Sequence, residues 1–164
     1  MDAPAPIGIR PAETGEIPWI ERHLTQSWGS TTVVTRGVAH EASRLPALVA
    51  VQGEEIVGLA TFRCDAGDCE LVTLDALRRR RGIGSALLAG VREEAVRRGC
   101  RRLWLITTND NLDAIRFYQR RGMRLIAVHC GAVEEARRTK PSIPMIGEHG
   151  IPIRDELEFE LNLG

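Results

Sequence analysis

Lysine is nearly missing from this chain: among 22 basic residues only Lys140 is one, a bias toward arginine from which no function follows. Net charge is missing as well. The 22 Lys and Arg balance 22 Asp and Glu, which removes the broad field that draws a protein to nucleic acid, an acidic membrane or another polyanion. Any basic site must be local, and the short arginine run at 78–81 on a neutral chain predicts no nucleic-acid partner. Long apolar runs are absent, since uncharged stretches such as 45–51 and 103–109 fall far short of the roughly 20 residues that cross a bilayer, so no membrane partner is expected. The opening Met1-Asp2-Ala3-Pro4-Ala5-Pro6 lacks the basic head and apolar run of a secretion signal, and the expected location is cytoplasmic. The cysteines Cys64, Cys69, Cys100 and Cys130 lack zinc-knuckle spacing, so neither a metal site nor a structural disulfide is expected, and they read as small buried hydrophobes.

What is present is enough for one core: 164 residues, 43% hydrophobic, read as a single domain spanning 1–164. The alternating run at 7–11 reads as a strand, and Ile17, Ile20 and Leu24 place a helix at 16–26. Residues 27–44 are polar and weakly patterned. A hairpin is expected from 47–51 and 56–62, with a third antiparallel strand at 70–74. Ile83, Leu87, Leu88, Val91, Ala95 and Val96 put one apolar face on a helix over 82–98, with Gly99 as its stop. A dense strand at 102–107, a helix at 112–121 ended by Gly122, and strands at 124–129 and 157–163 complete an α/β pattern with a mixed sheet.

The informative stretch is 74–85, where a strand runs into Arg79-Arg80-Arg81-Gly82-Ile83-Gly84-Ser85 and straight on into an amphipathic helix. The first N–H groups of a helix have no intrahelical acceptor, its dipole adds partial positive charge, and glycine lets an anion approach the backbone. The turn fits neither a Walker A loop, lacking Gly-Lys-Ser/Thr, nor a dinucleotide fingerprint, lacking the third glycine. It implies some other phosphate-bearing ligand.

Arg79-x-x-Gly82-x-Gly84 after a strand resembles the Arg/Gln-x-x-Gly-x-Gly/Ala signature of the GNAT N-acetyltransferase superfamily. Asn111-Leu112-Asp113-Ala114-Ile115-Arg116-Phe117-Tyr118, then Gly122-Met123, is similar to that superfamily's Asn-x-x-Ala-x-x-x-Tyr-x-x-x-Gly-Phe segment, with Met123 in place of the usual aromatic. The resemblance follows the element order over 7–129 and is most specific over 70–123. It implies a GNAT-like α/β fold: a mixed, mostly antiparallel sheet flanked by helices and splayed at its central strands. It implies acetyl-CoA as acyl donor, with the amides of Arg80, Arg81, Gly82, Ile83, Gly84 and Ser85 on its pyrophosphate and the arginine side chains of 79–81 on its phosphates. Val72, Thr73 and Leu74 are implied to pair with pantetheine and to offer one N–H to the thioester oxygen, and Asn111 to sit at the cleft edge.

The same resemblance assigns proton transfer. Tyr118, the only tyrosine, is expected as general acid to the leaving thiolate, and Glu70 as the nearest match to a base, directly or through water, although a solvated strand residue fits that position too. Trp28, His40 and Glu41 lie where relatives build a substrate-facing wall. No Cys/His pairing suggests a covalent enzyme intermediate, so direct attack by an amine is expected. Two rival readings stay open: a longer acyl donor, and a CoA-binding regulatory module without turnover.

The segment 130–152 is far longer than a hairpin loop and is stiffened by proline. It is read as an insertion, with a short helix over 133–138, that is a packed loop, a homodimer contact, or a wall on the acceptor side carrying Lys140, Glu148, His149 or Arg154 toward a polar acceptor. The acceptor itself, a small-molecule amine or a peptide, is not specified by the residues.

Overall fold

The computed structural model describes residues 3–164; Met1 and Asp2, which open the stretch read above as lacking a secretion signal, lie outside the described residues. The chain order is β1 (Ile7–Pro11), α1 (Ile17–Trp28), β2 (Thr32–Thr35), β3 (Val38–Glu41), β4 (Ala47–Gln52), β5 (Glu55–Asp65), β6 (Asp68–Ala76), α2 (Ile83–Arg97), β7 (Arg102–Thr108), α3 (Leu112–Arg120), β8 (Arg124–His129), α4 (Ala132–Thr139) and β9 (Glu156–Asn162). The main sheet runs β1-β4-β5-β6-β7-β9-β8, and β2-β3 form a separate hairpin. All pairings in the main sheet are antiparallel except β6 with β7. This is the mixed, mostly antiparallel α/β fold expected from the sequence.

Alternation sorts the apolar residues onto two faces. On one face Leu87, Leu88, Val91 and Ala95 of α2 pack with Leu71, Leu103, Leu105 and Phe159 of the sheet. On the other, Ile20 and Leu24 of α1 pack with Val33 of the hairpin and with Val49, Leu59 and Val72. Each fully buried Leu or Phe contributes about 2 kcal/mol relative to an exposed one, so both helices are held by the sheet rather than by helix propensity. Val96, read as part of the buried stripe of α2, is instead 52% exposed, because it follows Ala95 by 100° of helical rotation and turns out of the face.

Two further departures matter for the site. The weakly patterned stretch 27–44 holds the hairpin β2–β3, whose turn is made by Arg36 and Gly37, both at positive φ, the two-residue turn that matches strand twist. Its buried positions, Val33, Thr35 and His40, include two polar residues, which hides the strand pattern in the sequence. In the sheet, β9 slots between β7 and β8, so β8 does not lie beside β7, the strand before it in the chain.

The central strands part. β6 and β7 pair only from Asp68↔Arg102 to Leu71↔Leu105, while β6 continues to Ala76 and β7 to Thr108. The register of β5 and β6 steps from Thr61↔Thr73 to Phe62↔Leu71, leaving Val72 as a bulge residue at the point of separation. A bulge adds local twist and bend, and here it swings the end of β6 away from β7.

Candidate active site

The bulge leaves the β7-facing edge of β6 beyond Leu71 without a strand partner, so main-chain N–H and C=O groups in 72–75 line an opening through the sheet. Below it β6 ends in the arginine turn. Gly82 caps α2 in the left-handed region at φ 73, a conformation cheap only for glycine, and the first bond of the helix is Ala86 N–H to the Gly82 carbonyl at 3.0 Å. Among the described residues no acceptor takes the N–H groups of Gly82, Ile83, Gly84 or Ser85, so four backbone donors converge at the positive end of a 15-residue helix. Arg78 is engaged by Gln52 and Glu55, whereas Arg79, Arg80 and Arg81 are exposed and form no ion pair among the described residues. This is an anion cradle with three spare guanidinium groups, and it fits a pyrophosphate.

Gly84 has a second reason to be glycine: a Cβ there would lie 3.1 Å from the ring of Phe117, so α2 and α3 touch at that point. The guanidinium of Arg121 stacks 3.6 Å above the same ring and donates to Ser85 Oγ at 2.8 Å. A groove of about 770 Å³ continues from there along α2, its lining including Ser85, Arg92, Arg97 and Arg121. Sequence reasoning missed these three arginines, because Arg92 and Arg97 lie two or more turns further along α2 than the glycine motif and Arg121 lies at the end of α3. Asn111 is the N-cap of α3, its Oδ1 accepting from Ala114 N–H at 3.1 Å, so that oxygen holds the backbone.

Tyr118 is packed by Phe117, edge-on at 5.2 Å between centroids, and by Phe159 at 6.2 Å. Its hydroxyl bonds to no described residue, yet no buried side-chain polar atom among the described residues lacks a partner, so the oxygen itself reaches open space while the ring is buried. Burial, and secondarily the charge of Asp75, push the phenol well above its ordinary value, which keeps it protonated through neutral pH. Asp75, near the end of β6, accepts from Trp28 Nε1 at 2.8 Å and pairs with His23 Nε2 at 2.9 Å. Trp28 therefore ties α1 to the open end of β6, and Asp75 and His23 join it there without any local sequence signal.

Glu70 lies on the opposite face of the sheet from Tyr118, beneath the β2–β3 hairpin. The solvated reading of this residue is overturned: it is 3% exposed. Thr35 Oγ1 donates to its Oε1 at 2.5 Å, and His40 Nε2 is 2.8 Å from Thr35 Oγ1. Burial raises the Glu70 carboxyl above its ordinary range, opposed by the Thr35 hydrogen bond, and burial together with Arg63 lowers the His40 imidazole. Glu41 points elsewhere, accepting from Ser43.

The long segment is firmly anchored to the body of the fold. α4 covers 132–139, close to the short helix expected, and Lys140 at its end donates to the carbonyls of Trp28 at 2.9 Å and Thr32 at 2.8 Å, burial lowering its ammonium. Arg137 donates to the carbonyls of Ile143, Pro144 and Ile153. Buried Asp110 accepts from Glu148 N–H and from Thr108, and Asn109 Oδ1 takes the N–H groups of Arg154 and Asp155. The segment is thus fixed to α1 at one end and to the end of β7 at the other, bordering the opening opposite the cradle. Lys140 spends two of its donors as a clip on α1 and β2. Among the described residues, no group of His, Cys, Asp and Glu is arranged to hold a metal ion, and no helix is long and apolar enough to cross a membrane.

A bulged, parted pair of central strands leading to an amide cradle defines an acyl-CoA-type transferase architecture. Residues 14–123 match the sequence profile of the Acetyltransferase (GNAT) family, and the chain belongs to that family. Two relatives from Bacillus subtilis (strain 168) agree: "Uncharacterized protein YdhI", 45% identical over 137 residues covering 83% of this chain and 86% of that one, and "Uncharacterized protein YxbD", 40% identical over 139 residues covering 84% and 87%. Among solved structures, an IAA acetyltransferase from Bacillus cereus ATCC 14579 shares the fold at a TM-score of 0.76 and 23% identity, covering 96% of this chain and 100% of that one. A GNAT family acetyltransferase from Elizabethkingia anophelis with acetyl-CoA bound shares it at a TM-score of 0.72 and 20% identity, covering 96% and 98%.

Proposed function

We propose that the protein transfers the acetyl group of acetyl-CoA to an amine by direct attack. The observation that carries this reading is the cradle of four unpaired N–H groups at the foot of the strand that leaves its neighbour at Leu71. Acetyl-CoA bound to a protein of the same fold supports the choice of donor. The amides of 82–85 and the side chains of Arg79, Arg80 and Arg81 hold the pyrophosphate, Arg92 and Arg121 in the groove lining are the cations available to the nucleotide end while Arg97 is paired with Glu94, and the open edge at Val72, Thr73 and Leu74 pairs with pantetheine. The donor supplies an acyl carbon activated as a thioester.

Because the opening passes through the sheet, one proton-transfer group reaches it from each face. Glu70 takes a proton from the attacking amine as the C–N bond forms. A β6 N–H stabilises charge on the thioester oxygen, and Tyr118 gives its proton to the sulfur as the C–S bond breaks, solvent then restoring the phenol. Trp28, His40 and Lys140 shape the acceptor side, with Trp28 on Asp75 and Lys140 bracing the wall from behind. A screen of free-CoA release across small amines, amino acids and peptide N-termini tests this: acceptor-dependent release supports the reading, and tight acetyl-CoA binding with no release from any class overturns it in favour of a binding module.

A further inference from the structure

The Glu70 side chain is 4% exposed, and its Oε1 is held by the Thr35 hydroxyl of β2 at 2.5 Å. That hydroxyl is also 2.8 Å from Nε2 of His40 on β3, and Nε2 is 3.7 Å from the same Oε1. No buried side-chain polar atom among the described residues lacks a partner, so Oε2, which has none, is the oxygen that reaches open space. A hydroxyl owns one proton and two lone pairs. When Glu70 is a carboxylate it takes the Thr35 proton, and the contact to His40 is then a hydrogen bond only if Nε2 carries a hydrogen. When Glu70 is a neutral acid donating to Thr35, the Thr35 proton is released to Nε2, and His40 must carry its hydrogen on Nδ1. Both bonds reverse together. The other charged groups facing Glu70 are Arg63 on β5, which favours the carboxylate, and Glu156 and Glu158 on β9, which oppose it; Arg63 also faces His40 and disfavours imidazolium.

We propose that Thr35 and His40 are positioning residues for Glu70: the hairpin pins Oε1 so that Oε2 is left to meet the acceptor, and the tautomer of His40 switches with the ionisation of Glu70. The functional half of this proposal rests on Glu70 as the base, whereas the hydrogen-bond chain stands without that role. The test is nuclear magnetic resonance of the full chain, labelled with nitrogen-15 in histidine and carbon-13 in glutamate, from about pH 4 to pH 9, the span over which these groups titrate. His40 should pass from the Nδ1–H to the Nε2–H form with the midpoint of the Glu70 carboxyl. Glu70→Gln, whose amide can donate to Thr35 as the neutral acid does, should hold His40 in the Nδ1–H form. Thr35→Val, shape-matched but without the hydroxyl, should raise the Glu70 midpoint by roughly one to two pH units and separate the two midpoints, and Thr35→Ser should restore both. A His40 tautomer that stays fixed while Glu70 titrates in the unmodified protein overturns the chain, as does an unmoved midpoint in Thr35→Val. Wild-type CoA release by Glu70→Gln, with the shared midpoint seen in the unmodified protein, overturns the base reading and the functional half of the proposal alone.

Discussion

Replacing Tyr118 by Phe removes one oxygen from the molecule and little else. The ring keeps its contacts with Phe117 and Phe159, and the lost hydroxyl bonds to no described residue, so stability should change by no more than about 0.5 kcal/mol. Acetyl-CoA affinity should also hold, because in the proposed mode the phosphates meet the amides of 82–85 and pantetheine meets the backbone of β6, none of which Tyr118 contacts through its hydroxyl. The chemical step should suffer in full. A positioned general acid is worth about 10²- to 10⁴-fold, equivalent to roughly 2.7 to 5.5 kcal/mol of barrier. Since burial pushes the phenol upward, it is protonated at neutral pH, the form the proposed donor role requires. Single-turnover release of free thiol from bound acetyl-CoA isolates this step from product release. A Tyr118→Phe protein with the wild-type single-turnover rate would refute the role, whereas a slow rate with unchanged acetyl-CoA affinity and melting temperature is the expected result.

Gly84→Val should weaken CoA binding measured by calorimetry and crowd Phe117, while Gly90→Ala, whose Cβ would meet Ile9 at 2.9 Å and Leu48 at 3.1 Å, should cost about 1 to 3 kcal/mol of stability yet leave the folded protein's CoA affinity intact. Lys140→Met should lower the melting temperature by a few degrees, because two carbonyls lose their donor, and should raise the Michaelis constant for the acceptor more than that for acetyl-CoA. Arg10 holds the Glu16 carboxyl down to about 2 from an ordinary 4.5, so its stabilisation is present above the unfolded value and fades as pH falls toward the folded one. Glu16→Gln should therefore cost about 1 kcal/mol in denaturant titrations at neutral pH, and the two proteins should converge near the folded-state value.

The helices α2 and α3 and the cradle between strand and helix were legible because their signals are local: a 3.6-residue apolar period, glycines at positive φ, and an asparagine at a cap. The hairpin β2–β3 was not, since its turn is Arg36-Gly37 rather than a common turn pair and its inward positions include Thr35 and His40. That omission concealed the surroundings of Glu70, whose closest partner lies 35 residues away in the chain. The clip of Lys140 onto Trp28, across 112 residues, is equally invisible to any window of sequence. The bulge at Val72 follows from how β5 and β6 settle their register against both cores, a tertiary outcome that propensity does not encode.

The placement of β9 between β7 and β8 also governs how the molecule assembles. β8 has no sheet neighbour except β9, so it cannot join the sheet when it is made; it must wait for Glu156–Asn162 to arrive and wedge in beside β7. Strands β4, β5 and β6 close through two short hairpins, with β1 added across α1 and the β2–β3 hairpin, whereas the half that carries the far side of the opening depends throughout on contacts between distant parts of the chain. Such contacts are slow to form. In a refolding chain the β4–β6 hairpins, which end in the cradle, are expected to form before β8 and β9 join the sheet.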